Sequence, residues 1–161
     1  MKKLVLMLML FAPTAMFAQK FGHVDTQAIM QSLPEISKIN GELEAKAKQF
    51  ENELQEMQKE LQRKSQEYDE KKSTMNATKQ QEVEAELQTL YQKISQTYQD
   101  NQQALQKEQQ EKMQPVIEKV RKAIETVGQE GNYTYIFENT APIYIGTTSK
   151  DVTDDVKAKL K

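Results

Sequence analysis

The chain of 161 residues carries 22 basic and 24 acidic side chains, few aromatic residues and no cysteine. The lack of cysteine excludes disulfides, thiolate metal sites and attachment of a lipid to a cysteine. The slightly acidic balance, without basic runs interleaved with aromatic residues, argues against nucleic acid as a partner.

The first 18 residues have the pattern of a secretory signal peptide. Lys2 and Lys3 precede an apolar run at 4–12, and the segment ends at the small residue Ala18. That run is too short for a membrane span, which needs about 20 apolar residues. We therefore expect export and cleavage after about Ala18, which leaves 20 basic and 24 acidic residues.

Residues 19–33 and 128–161 are predicted to form a small β-body. Its predicted elements are a strand at 20–24, a helix capped by Asp25 or Thr26, a strand at 133–138, its hairpin partner at 143–146, and a helix at 151–160. A core of this size without disulfides is marginal as a monomer. We therefore expect several copies to associate through their strand edges.

Residues 34–127 between these segments are predicted to form an arm of two long helices with a tip near 73–77. The start is indicated by Ser32, Pro34 and Glu35, the pattern of a capped helix with proline in its first turn. The apolar side chains of the first helix follow a heptad: Ile36, Leu43, Phe50 and Met57, with Ala47, Leu54, Leu61 and Tyr68. A single unbroken helix stays open as an alternative, but at more than about 130 Å it would leave its apolar stripe unpaired.

The returning helix is predicted to start at a capping box formed by Thr78 and Gln81. Its apolar residues recur every eleven positions: Val83, Ile94, Leu105, Val116 and Val127, with Leu87, Tyr98 and Val120 in a second series. The stripe thins between 95 and 112, where we expect weak packing. Pro115 is expected to bend the helix, and Gly128 and Gly131 to end it.

No motif for catalysis, a cofactor or a metal is present. His23 is the single histidine, and Asp151, Asp154 and Asp155 lack the glycine and the distant glutamate of a calcium loop. The phosphate-binding glycine motifs are also absent, so we expect neither an enzyme nor a bound cofactor. The candidates for oligomerisation are the apolar residues of the β-body: Phe21, Val24, Tyr135, Ile136, Phe137, Ile143 and Ile145.

Several motifs in this order resemble a known family. They are Phe21-Gly22-His23-Val24-Asp25, the Ser32-Leu33-Pro34 break, Ile143-Tyr144-Ile145, and Lys150-Asp151-Val152-Thr153-Asp154-Asp155-Val156. The whole mature chain resembles the Skp (OmpH) family of periplasmic chaperones for outer-membrane proteins. The resemblance implies a mainly α, α+β fold and a homotrimer, in which three helical hairpins on a β-body surround a cavity.

Unfolded outer-membrane proteins are the partners that the resemblance implies, held in that cavity without ATP. Our candidates for client contact at the arm tip are Met75, Lys71, Lys72 and Lys79. The well-known members are basic and this chain is acidic, so we do not carry over a lipopolysaccharide site. A weak contact with the membrane surface stays open. The alternative function is a structural or adaptor coiled coil of the cell envelope that binds one folded partner.

The small predicted body gives a first testable expectation. Static light scattering of the mature protein should give about three times the mass of one chain, because a core of this size needs other copies to complete it and the family resemblance implies three of them. A monomer with a cooperative thermal transition would contradict this expectation.

Overall fold

The computed structural model describes residues 19–161, so the predicted signal peptide lies outside the described residues. The elements in chain order are β1 (Phe21–Val24), α1 (Thr26–Ser32), α2 (Pro34–Lys71), a 3-10 turn (Lys72–Thr74), α3 (Ala77–Glu130), β2 (Tyr135–Glu138), β3 (Lys150–Asp151) and α4 (Thr153–Lys159). The predicted fold class is confirmed, since long helices dominate and the strands form one small sheet. None of the helices in this part of the chain combines the length and the apolar composition needed to cross a membrane.

The described residues divide into two compact units. One unit contains residues 27–121, and the other contains residues 19–26 together with 122–161. We call the first the arm unit and the second the sheet unit. The long helix α3 contributes to both, since the division falls between Arg121 and Lys122.

The three strands form one sheet in the order β2-β1-β3, with both neighbours parallel to β1. Phe21 pairs with Tyr135 and Val24 with Glu138, while His23 pairs with Asp151 on the other edge. Side chains alternate between the two faces of a strand. Val24 therefore lies on the opposite face from Phe21, and it is buried.

The predicted hairpin between 133–138 and 143–146 is wrong. Residues 143–146 form no strand, and the third strand is Lys150–Asp151, which runs parallel to β1. The amide of Ala141 closes a turn on the carbonyl of Glu138, and Pro142 has no N–H to donate to a ladder. Ile143 is fully exposed, so its side chain is not packed against the sheet in the single chain.

The core of the sheet unit lies on one face of the sheet. Val127 from α3, Val152 before α4 and Val156 within it are buried together with Val24. A methyl group at Gly128 would lie 3.5 Å from Cδ1 of Ile136, which places the end of α3 directly over β2. Burial of these apolar side chains is the main favourable contribution to a unit with such short strands.

Hydrogen bonds from the end of β1 connect the strand to α4 and β2. The Asp25 amide donates to the Thr153 hydroxyl at 2.9 Å, and the Thr26 amide donates to the Glu138 carboxylate at 3.2 Å. The residue directly before the last helix is Val152, which has no side-chain cap, and the Asp151 carboxylate accepts the Thr153 amide of the first turn at 2.9 Å instead. Hydrogen bonds from the Thr153 hydroxyl and amide lower the pKa of Asp151.

The helix α3 ends at a position that differs from the prediction. It continues past Gly128 to Glu130, and it also continues through Pro115. The left-handed residue is Asn132, at φ 52°, and not a glycine. The Tyr133 amide donates to the Gly128 carbonyl and the Asn132 amide donates to the Gln129 carbonyl, the two bonds of a Schellman motif.

The start of α2 follows the prediction in position but not in capping. Pro34 is the first residue of the helix, and Leu33 before it is extended and buried. The predicted cap from Ser32 is absent, because its hydroxyl donates to the Ile29 carbonyl at 2.7 Å instead. The proline alone therefore determines where α2 begins, by disfavouring helical geometry at Leu33.

The tip breaks where it was predicted to, with a different cap. The 3-10 turn at Lys72–Thr74 is followed by extended Met75, and α3 begins at Ala77. The Lys79 amide donates to the Asn76 side-chain oxygen at 2.8 Å, so Asn76 and not Thr78 caps the helix. The Gln80 side chain donates to the carbonyls of Lys72 and Met75, which links the turn to α3.

The main series of the predicted eleven-residue repeat of α3 is confirmed, since Val83, Ile94, Leu105, Val116 and Val127 are all buried or half-buried. Between Val83 and Glu108 the less exposed residues recur mostly at spacings of three and four: Val83, Leu87, Leu90, Ile94, Thr97, Asn101, Ala104, Leu105 and Glu108. Tyr98 is exposed, and on α2 the predicted seam residue Ala47 is exposed whereas Ile39 is buried.

We predict that Gly131→Ala destabilises the sheet unit by about 1–3 kcal/mol, the usual cost of overpacking. A methyl group at Gly131 would lie 2.7 Å from Cδ2 of Tyr133 and 3.0 Å from the Val127 carbonyl oxygen. The Tyr133 ring cannot move freely, because Lys20 Nζ lies 4.1 Å from its centroid and also bonds the Gly131 carbonyl. Hydrogen–deuterium exchange of the β2 amides should become faster.

Gly41→Ala is the matched control for this substitution. Gly41 lies within α2 with open space where a methyl group would go. Alanine there should stabilise the helix by about 0.5–1 kcal/mol and leave exchange in β2 unchanged. Equal exchange rates for Gly131→Ala and the unmodified chain would contradict the predicted clash.

Candidate functional site

An aromatic row crosses the uncovered face of the sheet. Phe21, Tyr135 and Phe137 stack on one another, with ring centroids 6.2 Å and 5.7 Å apart. They are 37%, 57% and 43% exposed. We call these three residues the aromatic row. Exposed, contiguous aromatic surface is typical of an interaction site.

A groove of about 470 Å³ lies beside the aromatic row and within the sheet unit. Phe21, His23 and Phe137 form its sheet side, and the loop residues Pro142 and Ile145 line the other side. The neighbouring Ile143 and Tyr144 are 107% and 80% exposed. An apolar surface therefore extends from the sheet onto the loop, and this surface is exposed to solvent in the single chain.

The structure divides the predicted oligomerisation residues between the two faces. Phe21, Tyr135 and Phe137 lie on the uncovered face, and Ile143 and Ile145 lie on the loop beside it. Val24 is buried and Ile136 is half-buried on the covered face. Sequence reasoning missed Tyr144, although it stands between two named residues; only the exposed loop conformation reveals its accessibility.

The single histidine lies in the wall of the groove. His23 Nδ1 is 3.1 Å from the Ser149 hydroxyl, and the His23 carbonyl accepts the Val152 amide. The imidazole therefore orients the loop against the central strand. Across residues 19–161, no group of three or more histidine and acidic side chains is placed to hold a metal ion.

The predicted client-contact residues lie together at the tip of the arm unit. Lys71, Lys72 and Lys79 are exposed, and Met75 is half-buried in the turn. Lys79 pairs with Glu82 at 3.0 Å, and Lys72 lies 3.6 Å from Glu84 and over the Tyr68 ring. Tyr68 raises the pKa of Lys72 through a hydrogen bond. The tip is thus a surface of paired charges around one thioether.

Ion pairs across the hairpin connect α2 and α3 near both ends of the arm unit. Lys119 bonds Glu35 at 2.6 Å, Lys112 bonds Glu42 at 2.7 Å and Lys46 pairs with Glu108 at 3.3 Å. Near the tip, Lys64 pairs with Glu86 and the Tyr68 hydroxyl donates to Glu84. Exposed pairs of this kind contribute little individually, so they set the register of the helices more than their stability.

A long helical hairpin inserted after the first strand of a small parallel sheet is also the architecture of a known structure. The chain is similar to the crystal structure of an OmpH-like protein from Caulobacter crescentus CB15, named as a candidate outer membrane chaperone. The TM-score is 0.77 at 19% identity, and the match covers 88% of this chain and 83% of that chain. At this identity the match shows the fold alone.

The sequence itself identifies the family. The model of the family described as "Outer membrane protein (OmpH-like)" matches residues 20–160, and the chain belongs to this family. A comparison with curated proteins finds no match. OmpH-like proteins form a chaperone family and not an enzyme family, so membership supports a chaperone role.

The ion pairs of the arm unit predict a loss of stability in acid. Hydrogen bonds from Lys119 and Lys112 lower the pKa of Glu35 and of Glu42 below the ordinary value of 4.5. A carboxylate with a lowered folded-state pKa stabilises the fold above its unfolded pKa, and this stabilisation is lost as pH falls through the folded value. The melting temperature of the arm helices, followed by circular dichroism, should therefore fall below about pH 4.5.

Paired variants separate this effect from general acid denaturation. Lys112→Gln combined with Lys119→Gln should melt at a lower temperature at neutral pH and show a smaller further fall in acid. Lys107→Gln is the control, because Lys107 is highly exposed and its pair with Glu111 lies within one helix. The prediction is wrong if the double variant and the control have the same pH dependence.

Proposed function

We propose that this protein is an ATP-independent holdase of the periplasm that binds unfolded outer-membrane proteins and prevents their aggregation. Three copies would assemble through the sheet unit, and their helical hairpins would surround the client. The exported location rests on the pattern of residues 1–18, which precede the described structure. The observation that carries the proposal is the aromatic row on an uncovered sheet face.

The composition of the uncovered face supports assembly. The row of Phe21, Tyr135 and Phe137 continues onto Ile143 and Tyr144, all of them exposed in the single chain. Interfaces between subunits are enriched in aromatic side chains and depleted of charge at their centre. Among residues 19–161 no strand pairs with the outer edge of β2, and such an edge can accept a strand from another copy.

The arm suits a holdase because its surface offers many weak contacts. The seam between α2 and α3 is buried at few positions, among them Ile39, Tyr68, Val116 and Val120. Loosely packed helices can adjust to clients of different size. The adaptor alternative needs a rigid spacer, and the polar seam residues Thr97 and Asn101 do not support one.

The direct test is the refolding of an outer-membrane barrel protein diluted from urea. A stoichiometric excess of the assembled chaperone should suppress light scattering from the aggregating client, equally with and without ATP. Unchanged aggregation would end the holdase proposal. Tight binding to one folded envelope protein, without an effect on aggregation, would favour the adaptor.

Variants of the aromatic row connect assembly to this activity. Tyr135→Ser with Phe137→Ser should weaken assembly more than about ten-fold, since truncating aromatic hot spots at interfaces typically costs about 2 kcal/mol. Client protection should fall with it. Ile117→Ser is the matched control, because Ile117 is 49% exposed on α3 and belongs to the arm unit.

A further inference from the structure

The middle of α3 has polar side chains in its seam and aromatic side chains on its surface. Thr97 and Asn101 are at seam positions, and they are half-buried between Ile94 and Ala104. Among the described residues, Nδ2 of Asn101 is buried without a hydrogen-bond partner. Tyr91 and Tyr98, each one position after a seam residue, are 67% and 55% exposed. Apolar side chains in the seam and polar side chains on the surface would hold the helices together best, and the middle of α3 has the opposite distribution.

Tyr91 and Tyr98 share one face of α3. A separation of seven residues returns to nearly the same side of an α-helix, about 10 Å further along its axis. This distance corresponds to the rise of about three residues of extended chain. Two rings at this spacing can therefore contact side chains of a single extended segment at the same time.

The α3 side chains around the two rings are uncharged. Gln88, Ser95 and Gln102 are exposed on the same side, three or four residues from a tyrosine. Between positions 87 and 106 of α3 the sequence has only two charged residues, Lys93 and Asp100, of opposite sign. The ion pairs of the hairpin lie on α2 and in the flanking parts of α3. We call Gln88, Tyr91, Ser95, Tyr98 and Gln102 the tyrosine face.

We propose that the tyrosine face binds extended, uncharged segments of unfolded polypeptide that carry aromatic side chains. Its rings stack on aromatic side chains of the segment, and its glutamine amides bond the unpaired backbone N–H and C=O groups of an extended chain. The absence of net charge disfavours acidic or basic partners, which would need opposite charges at this face. The inference rests on the proposed function and names the chemistry by which the arm selects its clients.

The test measures client affinity in the full-length mature protein. The probe is a dye-labelled outer-membrane barrel protein, kept unfolded in dilute urea, with binding followed by fluorescence anisotropy. Tyr91→Ser with Tyr98→Ser should weaken binding about ten-fold, equally at low and at high salt, because stacking is not screened by ions. Serine and tyrosine have similar helix propensities, so the ellipticity at 222 nm should stay unchanged.

Tyr91→Phe with Tyr98→Phe is the matched control, since it keeps both rings and should bind within about two-fold of the unmodified protein. Weak binding by this control would overturn the role of the rings, and full binding by the serine variant would overturn the tyrosine face while leaving the holdase in place. An altered assembly mass of the serine variant would assign the face to contacts between copies and overturn the inference. Absence of client binding by the unmodified protein would end both proposals.

Discussion

The pairing of β1 with two distant segments is the constraint on which the rest of the fold depends. Residues 21–24 bond β2 along one edge and β3 along the other, both in parallel. A parallel pair requires a crossover connection, and here the crossover from β1 to β2 contains the complete helical hairpin. Closing so long a loop is entropically unfavourable, but its cost grows only slowly with length. A sheet of this kind can therefore accept a long insertion at little additional cost.

The alternation of side chains along β1 and β2 gives the sheet two different faces. Val24 and Ile136 lie on the face covered by the end of α3 and by α4, where Val127, Val152 and Val156 complete the core. Phe21, Tyr135 and Phe137 lie on the other face, exposed and stacked. The four residues of β1 and the four residues of β2 thus contribute both to the core of the sheet unit and to the proposed assembly surface.

The hairpin is held together differently, by specific pairs at its ends and by modest packing between them. Lysine–glutamate pairs and the buried Ile39 and Tyr68 set the register of α2 against α3. In the middle the seam contains Thr97 and Asn101, which offer less apolar contact than leucine would. An arm of this kind keeps its register and can still deform locally. This combination suits the proposed role of enclosing unfolded chains better than the role of a rigid spacer.

The sequence by itself determined the features that depend on local preferences: the start of α2 at Pro34, the break near 73–77, the heptad of α2 and the positions of β1 and β2. Periodicity, proline and turn-forming residues act over a few positions, so their effects can be predicted from the sequence alone. Only the tertiary structure decided what depends on distant partners. It assigned the third strand to Lys150–Asp151, and it placed Tyr91 and Tyr98 on the exposed surface of α3. It also separated Val24 from the aromatic row, because the face on which a side chain lies depends on which segments cover the sheet.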